Sequence, residues 1–169
     1  MMTGDPLTIL LRYNHWTTRQ ILDACVPLDA SQFHRKFEMG PGSLHDTLTH
    51  IIGAMRRWAE RIGDLPRTDP IEDRPHAAEE LISMLDKAAA DLESVARRIV
   101  LEGRLGEVMS FQPAGHPEYR MTRGAALVHA TTHGTHHRAQ CLNMLRHLNL
   151  GKPLPEIDPI DWQITCEKE

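Results

Sequence analysis

Apolar residues recur every three or four positions along four long stretches of the chain, and this spacing predicts four amphipathic helices. Asp5 followed by Pro6 favours the start of the first helix, because aspartate is a good N-cap and proline suits the first helical position. The first apolar stripe stops just before Pro27, where the helix is expected to end. Ser43 is a suitable N-cap for the second helix, which is expected to end at Gly63.

The second half of the chain contains the other two predicted helices, separated by a break in the pattern. The third helix has the most regular apolar spacing, from Leu81 to Ile99. The helical period is lost between Gly103 and Thr122, where two short apolar runs flank Pro113–Pro117; this favours a short β-hairpin or an ordered loop. Thr122 can cap the fourth helix, which is expected to end near Asn149. The tail from 156 to 165 favours one more short helix.

These elements predict an all-α fold, a four-helix bundle with a short hairpin or loop before the last long helix. The length of 169 residues suits a single helical-bundle domain over residues 1–169. Two of the connections are long for a simple up-and-down bundle, so the topology stays open.

The composition narrows the classes of partner and compartment. The formal net charge is −4, so the chain has no excess of positive charge, and neither nucleic acid nor an anionic membrane is an expected partner. No apolar run reaches the roughly 18 residues that a membrane span needs. The 3 cysteines are widely separated and form no CxxC pair, which argues against a disulfide framework or a zinc ribbon. The N-terminal residues lack a signal-peptide pattern, and the expected compartment is the cytoplasm.

Histidine is the unusual component, with 11 in the chain. His129, His133 and His137 are spaced by four on the fourth helix and therefore form one row, which is expected to point into the bundle. His50, at the edge of the second helix's apolar stripe, could supply a further ligand from a facing helix, with His45 as its rival. His136 is turned away from the row and is expected at its rim or in packing. The remaining five are expected at the surface or in loops: His15, His34, His76, His116 and His147.

Three imidazoles with an open fourth position are typical of a catalytic zinc site. Such an ion ionises a bound water or thiol near neutral pH. The chain has no glutamate between the histidines of the row, which excludes the metalloprotease arrangement, and it has no phosphate-binding glycine loop. The alternative is that these are core histidines whose ring nitrogens bond to backbone groups or threonine hydroxyls.

Three stretches resemble the DinB-like family, also called DinB/YfiT-type: Tyr13–Trp16, Gly42–Ile51 and His129–Gln140. The resemblance covers nearly the whole chain and implies a small helical bundle that forms homodimers. It also implies that His50, His133 and His137 bind a divalent metal ion, most often zinc or nickel. Members of the family include enzymes that join bacillithiol, mycothiol or related low-molecular-weight thiols to electrophiles.

Three hypotheses follow for the function. The first is a metal-dependent transferase that acts on a small-molecule substrate, a low-molecular-weight thiol. The second is a metal-dependent hydrolase, for which His129, His45 or Asp46 could assist as a proton acceptor. The third is a non-catalytic metal-binding stress-response protein. Arg138 and Gln140 are expected to brace neighbouring helices through hydrogen bonds and thereby orient the site.

Overall fold

A computed structural model describes residues 4–113 and 115–166, most of which are helical. Ala114, within the predicted turn, lies outside the described residues. The helices and strands, in chain order, are α1 (Pro6–Cys25), α2 (Ala30–Phe33), α3 (Leu44–Gly63), α4 (Ala78–Leu101), β1 (Val108–Phe111), β2 (Tyr119–Thr122), α5 (Arg123–Leu148) and α6 (Pro159–Cys166), with short 3-10 turns at Ile71–Asp73 and Arg104–Gly106.

The four predicted long helices are present as α1, α3, α4 and α5, and their ends follow the predicted caps. The Asp5 carboxylate accepts a hydrogen bond from the Thr8 backbone N–H at 2.9 Å. The Ser43 and Thr122 hydroxyls cap α3 and α5 in the same way. α5 ends at Leu148, close to the expected position, and Asn149 caps it in the left-handed conformation with φ 51°.

The smaller elements were predicted only in part. β1 and β2 form an antiparallel hairpin, in which Val108 pairs with Thr122 and Phe111 with Tyr119. This is the hairpin alternative for the break before the last long helix. The tail forms α6, which begins three residues later than the predicted segment. The sequence pattern did not indicate α2 or the two 3-10 turns, because an element of three or four residues is too short to show a period.

The four long helices pack against one another through two groups of buried apolar residues. α3 contacts α4 and α5, and α1 contacts the same two helices. On α5, one apolar cluster ends at Ala130 and the other begins at Cys141. The buried residues of α5 between them are Thr131, Gly134 and Arg138, none of which is a large apolar side chain. None of the helices within the described ranges is long and apolar enough to span a membrane.

Candidate metal centre

Three histidines from two helices converge where α3 packs against α5. His50 comes from α3, and His133 and His137 come from successive turns of α5. The ring centre of His50 lies 5.0 Å from that of His133 and 4.7 Å from that of His137, and the ring centres of the two histidines on α5 are 4.6 Å apart. One candidate ligand atom from each residue lies within 4.8 Å of the other two. The structure therefore brings together the three histidines that the sequence favoured as a ligand set.

The histidine row on α5 winds around the helix instead of pointing into the core along its whole length. Each step of four residues exceeds one turn by about 40°. His129 is consequently exposed, His133 and His137 are half-buried, and Cys141 at the next step is fully buried. The prediction of an inward row is wrong for His129. The cluster lies at the edge of the core, within reach of solvent.

The environment of the cluster favours neutral imidazoles. Burial, followed by the charges of His137 and His50, lowers the pKa of His133 to about 4. Burial also lowers the pKa of His50, with smaller contributions from His137 and Arg57. For His137, burial lowers the pKa although the hydrogen bond with Gln140 raises it. All three rings are therefore uncharged at neutral pH, which is the form that binds a metal ion.

The spacing of the ring nitrogens fits a shared ligand. Nε2 of His50 lies 3.2 Å from Nε2 of His133. Two nitrogens bound at the usual distance from one tetrahedral zinc ion are about 3.3 Å apart. Within residues 4–113 and 115–166, no backbone group or threonine hydroxyl forms a hydrogen bond with either ring, as the core-histidine alternative would require. The three-histidine cluster is compatible with a bound metal ion.

Gln140 fixes the tautomer of His137. Its Oε1 atom can only accept, so the Nδ1–H of His137 donates to it, at 2.8 Å. The lone pair of His137 then lies on Nε2. The other end of the same amide, Nε2, donates to Nε2 of His136 at 3.1 Å. The structure therefore supports an orienting contact from Gln140 to the cluster.

The loop before α3 holds the Gln140 amide in place. Gly40 has φ 51°, which favours glycine, and a Cβ atom there would overlap Oε1 of Gln140 and lie 2.8 Å from its amide carbon. Any side chain at position 40 would displace the amide from His137. This contact joins residues far apart in the sequence, so the spacing of residues could not reveal it.

An ion pair beside the cluster was also missed by the sequence reasoning. Nη1 of Arg57 lies 2.6 Å from Oε1 of Glu72, which belongs to a 3-10 turn in the connector after α3. A Cβ atom at Gly53 would lie 2.5 Å from that oxygen, so the glycine leaves room for the pair against α3. The charge of Glu72 raises the pKa of His50, whereas that of Arg57 lowers it. Arg57 lies two turns after His50 on α3, and this spacing alone would have placed it on the same face of the helix as His50.

His45 and Asp46 have their polar atoms engaged away from the cluster. Nε2 of His45 accepts the backbone N–H of His76 at 3.0 Å, and Nδ1 contacts the Asp46 carboxylate at 3.0 Å. Asp46 also forms an ion pair with Lys36. Burial alone would raise the pKa of Asp46, but hydrogen bonds from Lys36 and His45 lower it to about 2. His76 lies in the loop before α4, which agrees with its prediction at the surface or in a loop, but it is buried there, at 4% exposed.

Arg138 points away from the histidines and joins α5 to α1. It is 1% exposed, and its guanidinium donates to Oδ1 of Asn14 and to the hydroxyls of Thr18 and Thr135. Burial lowers its pKa to about 10. A Cβ atom at Gly134 would lie 2.6 Å from Nη1 of Arg138, so the glycine makes room for this contact. Arg138 therefore acts on the position of α5 and does not touch the ring of a clustered histidine.

Comparisons with known proteins agree with this architecture. A crystal structure of a DinB-like protein from Bacillus cereus ATCC 10987 matches with a TM-score of 0.67, at 18% identity, over 86% of this chain and 91% of that chain. At that identity the likeness shows the fold alone. The sequence matches none of the curated proteins with which it was compared. The model of the DinB family matches residues 2–167. The chain therefore belongs to the DinB family.

Proposed function

We propose that this protein is a metal-dependent transferase that joins a low-molecular-weight thiol to a small electrophile. His50, His133 and His137 hold a divalent ion, zinc or nickel, in this proposal. The observation that supports it is the convergence of three neutral imidazoles at a solvent-accessible edge of the core. Three protein ligands leave a position for a substrate, as in catalytic zinc sites. The family resemblance supports a thiol as that substrate.

Each neighbouring side chain has a defined part in the proposed reaction. A divalent ion bound at the cluster supplies Lewis acidity, which favours the ionised form of a thiol near neutral pH. Gln140 keeps the Nε2 lone pair of His137 available by accepting its Nδ1–H. Arg57 lies close enough to lower the pKa of both His50 and His133, and its ion pair with Glu72 holds the guanidinium beside the cluster.

The proposed transfer forms one C–S bond and releases the proton of the thiol. If the electrophile carries a leaving group, that group departs with its bonding electron pair. His129 is the proton acceptor in this scheme, because its ring lies 5.4 Å from that of His133 and is exposed to water. Burial on its inner side lowers the pKa of His129, so the ring is neutral and able to accept a proton at neutral pH.

The proposed scaffold is a four-helix bundle of the DinB type that acts as a homodimer. Val128 on α5 and Leu101 at the end of α4 are apolar side chains that are 60% and 81% exposed, and an interface would cover such groups. Sedimentation velocity is expected to show one species at twice the mass of the chain. A monomer across the micromolar range would contradict the dimer without bearing on the metal site.

The ligand assignment is tested by the metal content of protein purified without a histidine tag. We expect about one equivalent of zinc or nickel in the wild type. His50→Ala and His137→Ala should lose it. His136→Ala is the matched control, since this neighbour of His137 is exposed and outside the cluster, and it should retain the metal. Equal metal content in all four proteins would overturn the assignment.

The reaction is tested by mass spectrometry of thiol adducts. Metal-loaded protein is incubated with glutathione, bacillithiol or mycothiol and the reporter electrophile monochlorobimane. We expect the wild type and His136→Ala to accelerate adduct formation, and the metal-free protein and His137→Ala to leave it at the uncatalysed rate. Metal binding without any acceleration would reject the transferase in favour of a binding protein. Hydrolysis of a reporter ester without adduct formation would favour the hydrolase.

A further inference from the structure

Arg61 is held above two aromatic rings at the hairpin side of the histidine cluster. Its guanidinium carbon lies 5.2 Å from the ring centre of Trp58 and 4.8 Å from that of Phe111. The two rings meet edge to face, with centres 5.2 Å apart. Trp58 is buried, which gives the guanidinium a rigid support. The position of the Arg61 guanidinium is therefore set by one ring from α3 and one ring from β1.

The carboxylates around Arg61 are committed to other groups. Within the described ranges, none of the ion pairs includes Arg61. Asp64 is bound by Arg104 and Arg123. Glu60 accepts hydrogen bonds from the backbone and hydroxyl of Thr68. Arg61 therefore carries a charge without a carboxylate partner among the described residues.

This charge borders an open cavity. The cavity has a volume of about 350 Å³, and its walls include three cationic residues, Arg61, Arg67 and Arg123, and two carboxylate residues, Glu60 and Asp64. Burial, and then the charges of Arg57 and Arg67, lower the pKa of Arg61, and the charge of the neighbouring Glu60 offsets this shift only in part. A guanidinium with free donors on a cavity wall is suited to a carboxylate or a phosphate.

A continuous series of ring contacts leads from this cation to the histidine cluster. The ring of His133 lies 5.4 Å from that of His129. His129 lies 4.8 Å from Trp58, and Trp58 carries the guanidinium of Arg61. Trp58 is buried beneath its neighbours, whereas the exposed ring of His129 and the half-buried ring of Phe111 can support the apolar middle of an elongated molecule. One end of such a molecule would lie at the cluster and the other at Arg61.

We propose that Arg61 binds an anionic group, a carboxylate or a phosphate, of an elongated substrate whose reacting end lies at the three histidines. The position of the reacting end rests on the proposed function, whereas the anion site itself does not. The exposed ring of His129 and the half-buried ring of Phe111 support the part of the substrate between the two ends. The substrate class is accordingly an anionic thiol or electrophile with an apolar or flat middle segment.

The anion site is tested on metal-free protein, without any reaction. The probes are phenylbutyrate, phenethyl phosphate and the neutral alcohol phenylbutanol. Binding is followed by the NMR signal of the Trp58 indole N–H, assigned with Trp58→Phe. We expect at least one anion to bind about fivefold more tightly than the alcohol, as for an exposed charge pair. The anion with the larger advantage identifies carboxylate or phosphate as the group.

Variants of Arg61 separate charge from stacking. Arg61→Leu should bring the three probes to within about twofold of one another, while Arg61→Lys should keep part of the preference because it keeps the charge. Arg97→Leu is the control, since Arg97 is exposed on α4 and pairs with Glu93. An anion preference that survives Arg61→Leu, or the lack of any preference in the wild type, would overturn the proposal.

The link between the anion site and the cluster has its own measurement on the metal-loaded protein. Mercaptooctanoate is long enough to reach from the cluster toward Arg61, whereas mercaptopropionate is not. Arg61→Leu should raise KM about fivefold for the longer thiol and leave that of the shorter one unchanged, with kcat unaffected for both. An equal effect on both thiols would reject the link. Anion binding without any thiol transfer would instead reject the proposed function and leave the anion site standing.

Discussion

Replacing Gln140 tests whether the tautomer of His137 matters for metal binding. Gln140→Leu keeps a side chain of similar size and removes the acceptor for His137 Nδ1–H, which the structure places at 2.8 Å. The Nε2 lone pair is then no longer enforced, because the proton can move to either ring nitrogen. We expect the variant to bind zinc and nickel more weakly, with little change in the stability of the metal-free protein.

The size of the effect follows from the exposure and length of this hydrogen bond. A separation of 2.8 Å is at the short end of the normal range, which favours a contribution near the upper limit of about 1.5 kcal/mol for a neutral pair. His137 is half-buried, so water can partly replace the lost acceptor. The expected loss is therefore about tenfold in Kd, at the lower end of the 10–100-fold range for such contacts. Gln140→Glu should tighten binding, because a carboxylate accepts about twice as strongly.

Competition with a chromophoric chelator measures the metal affinity of each variant. His136→Ala is the control, because it removes the other contact of the Gln140 amide and leaves the His137 contact in place; its Kd should stay within about threefold of the wild type. Unfolding curves of the metal-free proteins separate a tautomer effect from general destabilisation. If Gln140→Leu and Gln140→Glu both bind metal as the wild type does, the assigned role of Gln140 is wrong.

Three further perturbations follow from contacts at the same helices. Gly134→Ala should lower the free energy of unfolding in urea by about 1–3 kcal/mol, because the new Cβ would lie 2.6 Å from Nη1 of Arg138. This loss is expected even though alanine has the better helix propensity. Equal or greater stability of the variant would contradict this packing. Gly40→Ala should displace Gln140 and weaken metal binding about tenfold, and wild-type affinity in the chelator assay would refute the contact. The pKa of His133 is about 4 in the folded chain and about 6.5 in the unfolded chain, so on acidification the unfolded metal-free chain takes up this proton first. The free energy of unfolding, measured in urea, should therefore fall as the pH is lowered from about 6.5 to about 4. His133→Asn should flatten that part of the pH profile.

The parts of the structure that depend on local sequence were the parts that could be predicted. The period of apolar residues and the caps at Asp5, Ser43 and Thr122 act within a few residues, so they locate the long helices without knowledge of the packing. The spacing of His133 and His137 likewise fixes their common face. That His50 meets them required only that α3 and α5 be neighbours, which a compact set of four helices makes common.

Contacts that depend on how separate segments cross could not be predicted. The Arg57–Glu72 pair needs the connector after α3 to return to that helix, and the Gly40–Gln140 contact needs the loop before α3 to reach α5. The direction of the histidine row failed for a different reason. A step of four residues was treated as a full turn, and the accumulated rotation moves His129 into solvent.

The location of the cluster follows from the way α5 is built. Between Ala130 and Cys141 this helix contributes no large apolar side chain to either core cluster, so its attachment to the other helices there must be polar. Arg138 attaches α5 to α1 by donating hydrogen bonds to neutral acceptors. Its charge is buried there, and this burial lowers the pKa of Arg138 to about 10. On the opposite side, His133 and His137 face His50 of α3 with uncharged rings in contact at their nitrogens. A ligand shared by the three rings would join α3 to α5 where α5 contributes no large apolar side chain, and its binding would therefore stabilise the folded chain.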